Sequence, residues 1–164
     1  MKNTVFVLAF LLFQGSVFAQ EKELLKILNT ELKKEVKNQF QSSNFSGDTI
    51  AINKPFTIDQ QKILSFEIQK TSPYFSGVQI IRQEVPLNKI IKIGKDINVI
   101  FVTEGDAVIS TSKIIGKEIT EEKVAGHLFF LFLSKEKQNE QLGISIQKAF
   151  KEAGYIIAKE FWYD

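Results

Sequence analysis

The sequence contains no cysteine and only one histidine and one arginine among its 164 residues. The absence of cysteine excludes disulfides, thiol nucleophiles and thiolate metal ligands. His127 alone does not make a zinc site of the common Cys/His type, and no Gly-x-Ser-x-Gly motif supplies a serine nucleophile to pair with it. Glycine-rich phosphate-binding motifs are also missing. The sequence therefore predicts no catalytic residue, no metal ligand and no cofactor.

An excess of charge of either sign is lacking as well. The chain has 21 basic and 19 acidic side chains, which gives a formal net charge of +2. Loss of the first 19 residues leaves 20 basic and 19 acidic side chains, a net charge of +1. Proteins that bind nucleic acids usually carry clustered lysine and arginine in excess over acids. The sequence predicts no nucleic-acid partner.

The N-terminal segment has the layout of a cleaved signal peptide. Met1–Asn3 carries positive charge, residues 4–13 are apolar and uncharged, and Val17–Ala19 ends in a small residue at a cleavage position. The apolar run is shorter than the roughly 20 residues of a membrane-spanning helix, although an uncleaved anchor is the alternative. We expect residues 1–19 to be a signal peptide and residues 20–164 to form one domain. The mature protein is then secreted or periplasmic, soluble and without a transmembrane span.

Hydrophobic periodicity predicts a helix at each end of the mature chain. From Gln20 to Phe40, apolar residues recur at steps of three and four, as in an amphipathic helix. A second helix is expected to begin at Asn139, whose side chain suits a helix cap, and to end near Gly154. The tail at residues 155–164 is rich in aromatic residues, and we expect it to pack against the domain.

Between the helices, alternating apolar and polar residues separated by turn-forming residues predict short strands. Short turns between consecutive strands favour antiparallel pairing. The sequence thus predicts an α+β fold in which an antiparallel sheet of about six or seven strands is flanked by an N-terminal and a C-terminal helix. The predicted strands are residues 50–58, 64–68, 78–85, 88–93, 97–103, 107–115 and 127–133.

Two of these segments, Ile97–Val102 and Leu128–Leu133, are apolar at nearly every position instead of alternating. Strands of this kind need cover on both faces. One arrangement places a helix on each face of the sheet. In the other, the helices share one face, and a second sheet, a partner chain or an apolar ligand covers the other.

A set of aromatic residues is the candidate ligand-binding site. Apolar pockets are usually lined by such residues, although the same residues are common in protein cores. The set consists of Phe129, Phe130, Phe132, Phe150, Phe161 and Trp162.

Taken together, these features favour an exported, non-enzymatic binding or interaction module for an apolar small molecule or a protein partner. Two alternatives stay open. One is an envelope hydrolase that uses carboxylates and hydroxyls, with Asp96, Glu104 and Asp106 as the candidate acids. The other is an oligomeric structural protein.

Overall fold

The structure is a computed structural model that describes residues 21–41, 45, 47–116, 119–134 and 137–163. The predicted signal peptide, residues 1–19, lies outside this part of the chain. In the part that is described, no helix is long and apolar enough to cross a membrane.

Two helices frame the chain. Helix α1 occupies residues 21–38 and continues into a 3-10 turn at Gln39–Gln41. Helix α2 spans Glu140–Glu152. It ends where the sequence predicts, because Gly154 adopts a φ of 87°, a left-handed conformation that glycine tolerates. Backbone N–H groups of residues 154 and 155 then donate to carbonyls in the last turn.

The strands of the described chain form two sheets. Numbered in chain order, they are β1 Thr49–Ile58, β2 Ile63–Thr71, β3 Val78–Pro86, β4 Ile90–Asp96, β5 Asn98–Thr103, β6 Val108–Ile115, β7 Ile119–Gly126, β8 Leu128–Phe130 and β9 Ala158–Trp162. Sheet A has the order β1-β2-β3-β6-β7, and sheet B has the order β8-β5-β4-β9. Neighbouring strands are antiparallel, except that β9 runs parallel to β4.

The predicted α+β class, with mostly antiparallel strands and a helix at each end, is confirmed. The strands divide between two sheets, a long-range pairing that local periodicity does not encode. Strand β7 was not predicted, because three of its eight residues are charged and the segment is exposed on both faces. The aromatic tail packs as expected, and it does so as strand β9. The last predicted strand is shorter than expected and is regular only at Leu128–Phe130.

A single apolar core joins both sheets and both helices. The ring of Phe129 on β8 lies 5.5 Å from that of Phe66 on β2 and 6.1 Å from that of Phe101 on β5. Phe101 in turn meets Phe150 of α2 at 5.3 Å. Each buried ring stabilises the fold by about 1.5–3 kcal/mol, so this line of contacts ties sheet A to sheet B and to α2.

The two apolar segments differ in how they are covered. In Ile97–Val102, the middle residues 99–101 are buried, as predicted. In Leu128–Leu133, residues 129, 131 and 133 are buried, but Phe130 is 38% exposed. The prediction of cover on both faces is therefore wrong for Phe130 and for Ile97, which is 77% exposed and lies outside strand β5.

The buried face of α1 becomes polar toward its C-terminal end. Its apolar stripe ends at Leu32, and the next two buried positions are Glu35 and Gln39. Phe40, which was predicted to extend the stripe, is 64% exposed. Polar side chains are tolerated in buried positions when the surrounding surface satisfies their hydrogen bonds, as it does here.

Helix α1 covers the outer edge of strand β1 through two side-chain amides. Asn29 Nδ2 donates to the Phe56 carbonyl at 3.0 Å, and the Phe56 N–H donates to Asn29 Oδ1 at 2.8 Å. Gln39, in the 3-10 turn that follows, binds Ile50 in the same way. Its Nε2 donates to the Ile50 carbonyl at 3.1 Å, and the Ile50 N–H donates to Gln39 Oε1 at 2.7 Å. Each amide presents the donor and acceptor of a peptide group, so the edge strand is partnered at two points.

Candidate functional site

Sheet B presents apolar side chains on the face turned away from the core. Phe101 on β5 and Phe129 on β8 enter the core, so the neighbouring Ile100 and Phe130 point to the opposite face. In the ladder, Ile100 lies between Phe130 on one side and Gly94 of β4 on the other. These three positions form one row across three strands.

Strand β9 extends this row. A Cβ atom placed on Gly94 would lie 3.3 Å from Phe161 Cε2, so the Phe161 ring covers the glycine. Tyr163 stacks on Phe161, with ring centroids 5.5 Å apart and an angle of 16° between the rings. Trp162, between them, points the other way and packs on Gly143 of α2.

We call Phe130, Ile100, Gly94, Phe161 and Tyr163 the aromatic row. It crosses all four strands of sheet B, which at a strand spacing of about 4.8 Å separates its ends by roughly 14 Å. Phe161 is 41% exposed and Tyr163 is 64% exposed. The exposed members Phe130, Phe161 and Tyr163 lie on either side of Ile100, which is 8% exposed, and of the buried Gly94. Several exposed apolar residues grouped on one face mark interaction sites, whereas single exposed apolar residues do not.

A charged pair borders the aromatic row. Lys92 Nζ of β4 lies 2.7 Å from Glu160 Oε1 of β9, and both side chains are partly exposed. Lys92 faces Val102 in the ladder, next to the row. An apolar centre with a polar rim is the usual anatomy of a protein interface.

The corresponding outward face of sheet A is polar. Glu67 on β2 accepts hydrogen bonds from Asn53 Nδ2 at 2.9 Å and from Lys54 Nζ at 3.1 Å. Burial acts to raise the pKa of Glu67, but these hydrogen bonds, with the charges of Lys54 and Arg82, outweigh it and hold the pKa below its ordinary value. The two sheets therefore present surfaces of different chemistry to solvent.

Comparison with protein-family models, with curated proteins and with solved structures finds no match. The aromatic row is therefore interpreted from its own geometry. Among the residues whose placement is described, no three His, Cys, Asp or Glu side chains are positioned to share a metal ion.

The aromatic residues proposed from the sequence as one pocket separate in the structure. Phe129 and Phe150 are fully buried in the core. Phe130 and Phe161 belong to the aromatic row on the outward face of sheet B. The sequence shows that these residues are apolar. Which face of the sheet a strand residue occupies depends on the strand register, which the sequence does not show.

The two remaining members of the set lie in other places. Phe132 packs at the side of the core and forms part of a small polar cavity. Trp162 Nε1 donates to Asn139 Oδ1 at 2.9 Å, and the buried Lys95 Nζ donates to the same oxygen at 3.1 Å. Asn139 stands at the start of α2 as predicted, but its side chain makes no capping hydrogen bond, because it binds these two donors instead.

The acids of the hydrolase alternative are not brought together. Asp96 lies at the β4–β5 turn, whereas Glu104 and Asp106 follow the other end of β5, about 20 Å away for a six-residue strand. Glu104 pairs with Lys89 at 3.2 Å, and Asp106 Oδ1 lies 3.9 Å from His127 Nδ1 on an exposed surface. A hydrolase mechanism that unites the three acids is not supported by this spacing.

Two features of the site were missed in the sequence. Tyr163 lies two residues after Phe161, a spacing that places both on one face of a strand, but the tail had not been assigned as a strand. Ile97, at the β4–β5 turn, is 77% exposed and has a φ of 63°. A left-handed conformation is rare for a β-branched residue, and nothing in the local sequence signals it. Tyr163 approaches this turn, because its N–H donates to the Lys95 carbonyl at 3.0 Å.

Proposed function

We propose that this protein is an exported, non-enzymatic binding module that binds a protein partner through the aromatic row. The observation that carries the proposal is the joint exposure of Phe130, Phe161 and Tyr163 on one sheet face. Aromatic residues, Tyr among them, are enriched at the centres of protein interfaces and supply much of their binding energy.

The shape of the surface favours a protein over an apolar small molecule. Small ligands are usually enclosed in concave pockets that bury most of their surface. The aromatic row instead lies across a sheet face whose opposite side is the core. A second protein surface can cover such a row, and Lys92 and Glu160 at its border supply polar contacts for the rim.

Export is part of the proposal and rests on the layout of the first 19 residues. It is tested by N-terminal analysis of the protein purified from its own host. We expect the mature chain to begin at Gln20. A chain that retains Met1 would contradict cleavage.

The partner surface is tested with a double variant, Phe161→Ser with Tyr163→Ser. The matched control is Tyr74→Ser, because Tyr74 is 82% exposed in the β2–β3 loop of the other sheet. The unmodified protein, the double variant and the control are each purified from the native host. Stoichiometric partners are identified by mass spectrometry, and each purified partner is then titrated against the three proteins. Loss of two interface rings should weaken binding by at least about tenfold, whereas the control should bind like the unmodified protein.

Other outcomes would overturn this proposal. If the double variant binds the partner as tightly as the unmodified protein does, the aromatic row is not the interface. If an apolar small molecule is recovered on the row, the ligand is not a protein. If light scattering shows a homo-oligomer that the double variant dissociates, the oligomeric structural alternative is correct.

A further inference from the structure

A polar cavity of about 220 Å³ lies between the C-terminal end of α1, the start of β1 and the residues that follow β8. Its described wall includes Glu35, Asp48, Lys70, Asn98, Phe132 and Ser134. None of these residues belongs to the aromatic row, so the inference drawn from the cavity is independent of the proposed function.

The wall of the polar cavity contains polar groups held in fixed positions. Glu35 is 8% exposed, and its Oε1 accepts a hydrogen bond from Ser134 Oγ at 3.0 Å. Asp48 Oδ2 lies 2.8 Å from Lys70 Nζ, and both side chains are partly buried. A cavity with a few fixed polar groups is the usual form of a small-molecule site.

The apolar part of the wall is held in an unusual conformation. Phe132 has a φ of 54°, and Asn98 directly follows Ile97, whose φ is 63°. Non-glycine residues seldom adopt left-handed conformations, and such residues cluster at ligand sites because the surrounding fold must hold them there. Phe132 and Ile50 thereby add apolar surface to a wall whose other described residues are polar.

We propose that the polar cavity binds a small, neutral, polyhydroxylated molecule of the size of one sugar ring. Hydroxyl groups both donate and accept, so they match carboxylates, the Lys70 ammonium and the Asn98 amide at once. Hydrogen bonds from hydroxyls to carboxylates are strengthened by charge. The C–H face of a sugar ring fits against an aromatic ring such as that of Phe132. A neutral ligand also leaves the Asp48–Lys70 ion pair intact.

The volume limits the ligand to a single ring. A cavity of about 220 Å³ has room for several water molecules. Sites for drug-sized ligands are larger, at about 300–1,000 Å³. Longer saccharide chains are therefore expected to bind, if at all, through one terminal ring.

The proposal is tested by titrating the full-length mature protein with glucose, galactose, mannose and N-acetylglucosamine. Binding is followed in two-dimensional amide NMR spectra. At least one sugar should shift the amides near Asn98 and Phe132 with saturation. Phe132→Leu should weaken that binding by about fivefold or more through loss of ring contact, and Asn98→Ala provides a second variant if the first does not fold. Phe161→Ser, on the aromatic row, should leave sugar binding unchanged.

Several outcomes would overturn the proposal. One is the absence of saturable shifts with all four sugars at tens of millimolar concentration. Others are sugar binding that survives both cavity variants, or shifts at these amides that methylammonium or inorganic phosphate produces and the sugars do not. Failure of the aromatic row in partner binding would leave this result unaffected, because the row and the cavity are changed by different variants.

Discussion

Gly143 of α2 lies directly beneath the ring of Trp162 on β9. A Cβ atom on Gly143 would be 2.6 Å from Trp162 Cζ3 and 3.0 Å from Cη2, closer than carbon atoms normally approach. Trp162 has little freedom to move away, because its Nε1 donates to Asn139 Oδ1 at 2.9 Å and its strand pairs with β4. We therefore expect Gly143→Ala to change the stability of the protein in a way that depends on Trp162.

Two opposing effects set the magnitude. Alanine is favoured over glycine in a helix interior by about 1 kcal/mol. Overpacking against a fixed ring costs about 1–3 kcal/mol. With Trp162 present, Gly143→Ala should therefore lower the free energy of unfolding by up to about 2 kcal/mol. In a Trp162→Leu background the same change should raise it by up to about 1 kcal/mol.

The assay is urea unfolding of the unmodified protein, Gly143→Ala, Trp162→Leu and the double variant. Unfolding is followed by far-ultraviolet circular dichroism. Fluorescence is unsuitable, because Trp162 is the one tryptophan of the chain. Ser145→Ala is the matched control, since Ser145 is an exposed position of α2 and should respond to helix propensity alone in both backgrounds. An effect of Gly143→Ala with the same sign and size in both backgrounds would refute the proposed contact.

Two further predictions concern single side chains. Ile97→Asn should raise the free energy of unfolding, measured in urea titrations, by about 1 kcal/mol. Asparagine tolerates the left-handed conformation, and Ile97 buries little surface. A loss of stability would show that Ile97 makes contacts that outweigh the strain. The lowered pKa of Glu67 means that its charged form stabilises the fold above the unfolded pKa of about 4.3, and that this contribution is lost as pH falls through the lower folded value. Glu67→Gln should therefore destabilise the protein by about 0.5–1 kcal/mol at pH 7, and this difference should disappear once the pH lies below the lowered folded pKa. A difference that does not change with pH would contradict this explanation.

The fold was predictable where the sequence carries a strong period or a specific terminator. The apolar spacing of α1 up to Leu32 and the glycine at position 154 both act locally, so they can be recognised without knowledge of the tertiary structure. Strand β7 gave no such signal, because neither of its faces is buried. The burial of Glu35 and Gln39 was not predicted, since it depends on partners distant in sequence.

The candidate site was predictable only as a list of residue types. Phe129 and Phe130 are adjacent and chemically identical, yet one enters the core and the other reaches solvent. The alternation along a strand predicts that they differ, but the direction of each requires the register of β8 on β5. The pairing of β9 with β4, which brings Phe161 over Gly94, joins residues far apart in the chain and leaves no local pattern.

The amides of Asn29 and Gln39 give α1 a role beyond its apolar contacts. Together they make hydrogen bonds to β1 at two positions where a further strand of sheet A would otherwise pair. An amide is needed at each position, because a carboxylate has no proton to donate to the backbone carbonyl. Detachment of the helix is consequently not a harmless local opening. It uncovers the Ile50–Ile52 part of β1 as an unpaired edge on which strands from other molecules can pair, so we expect the helix to limit self-association.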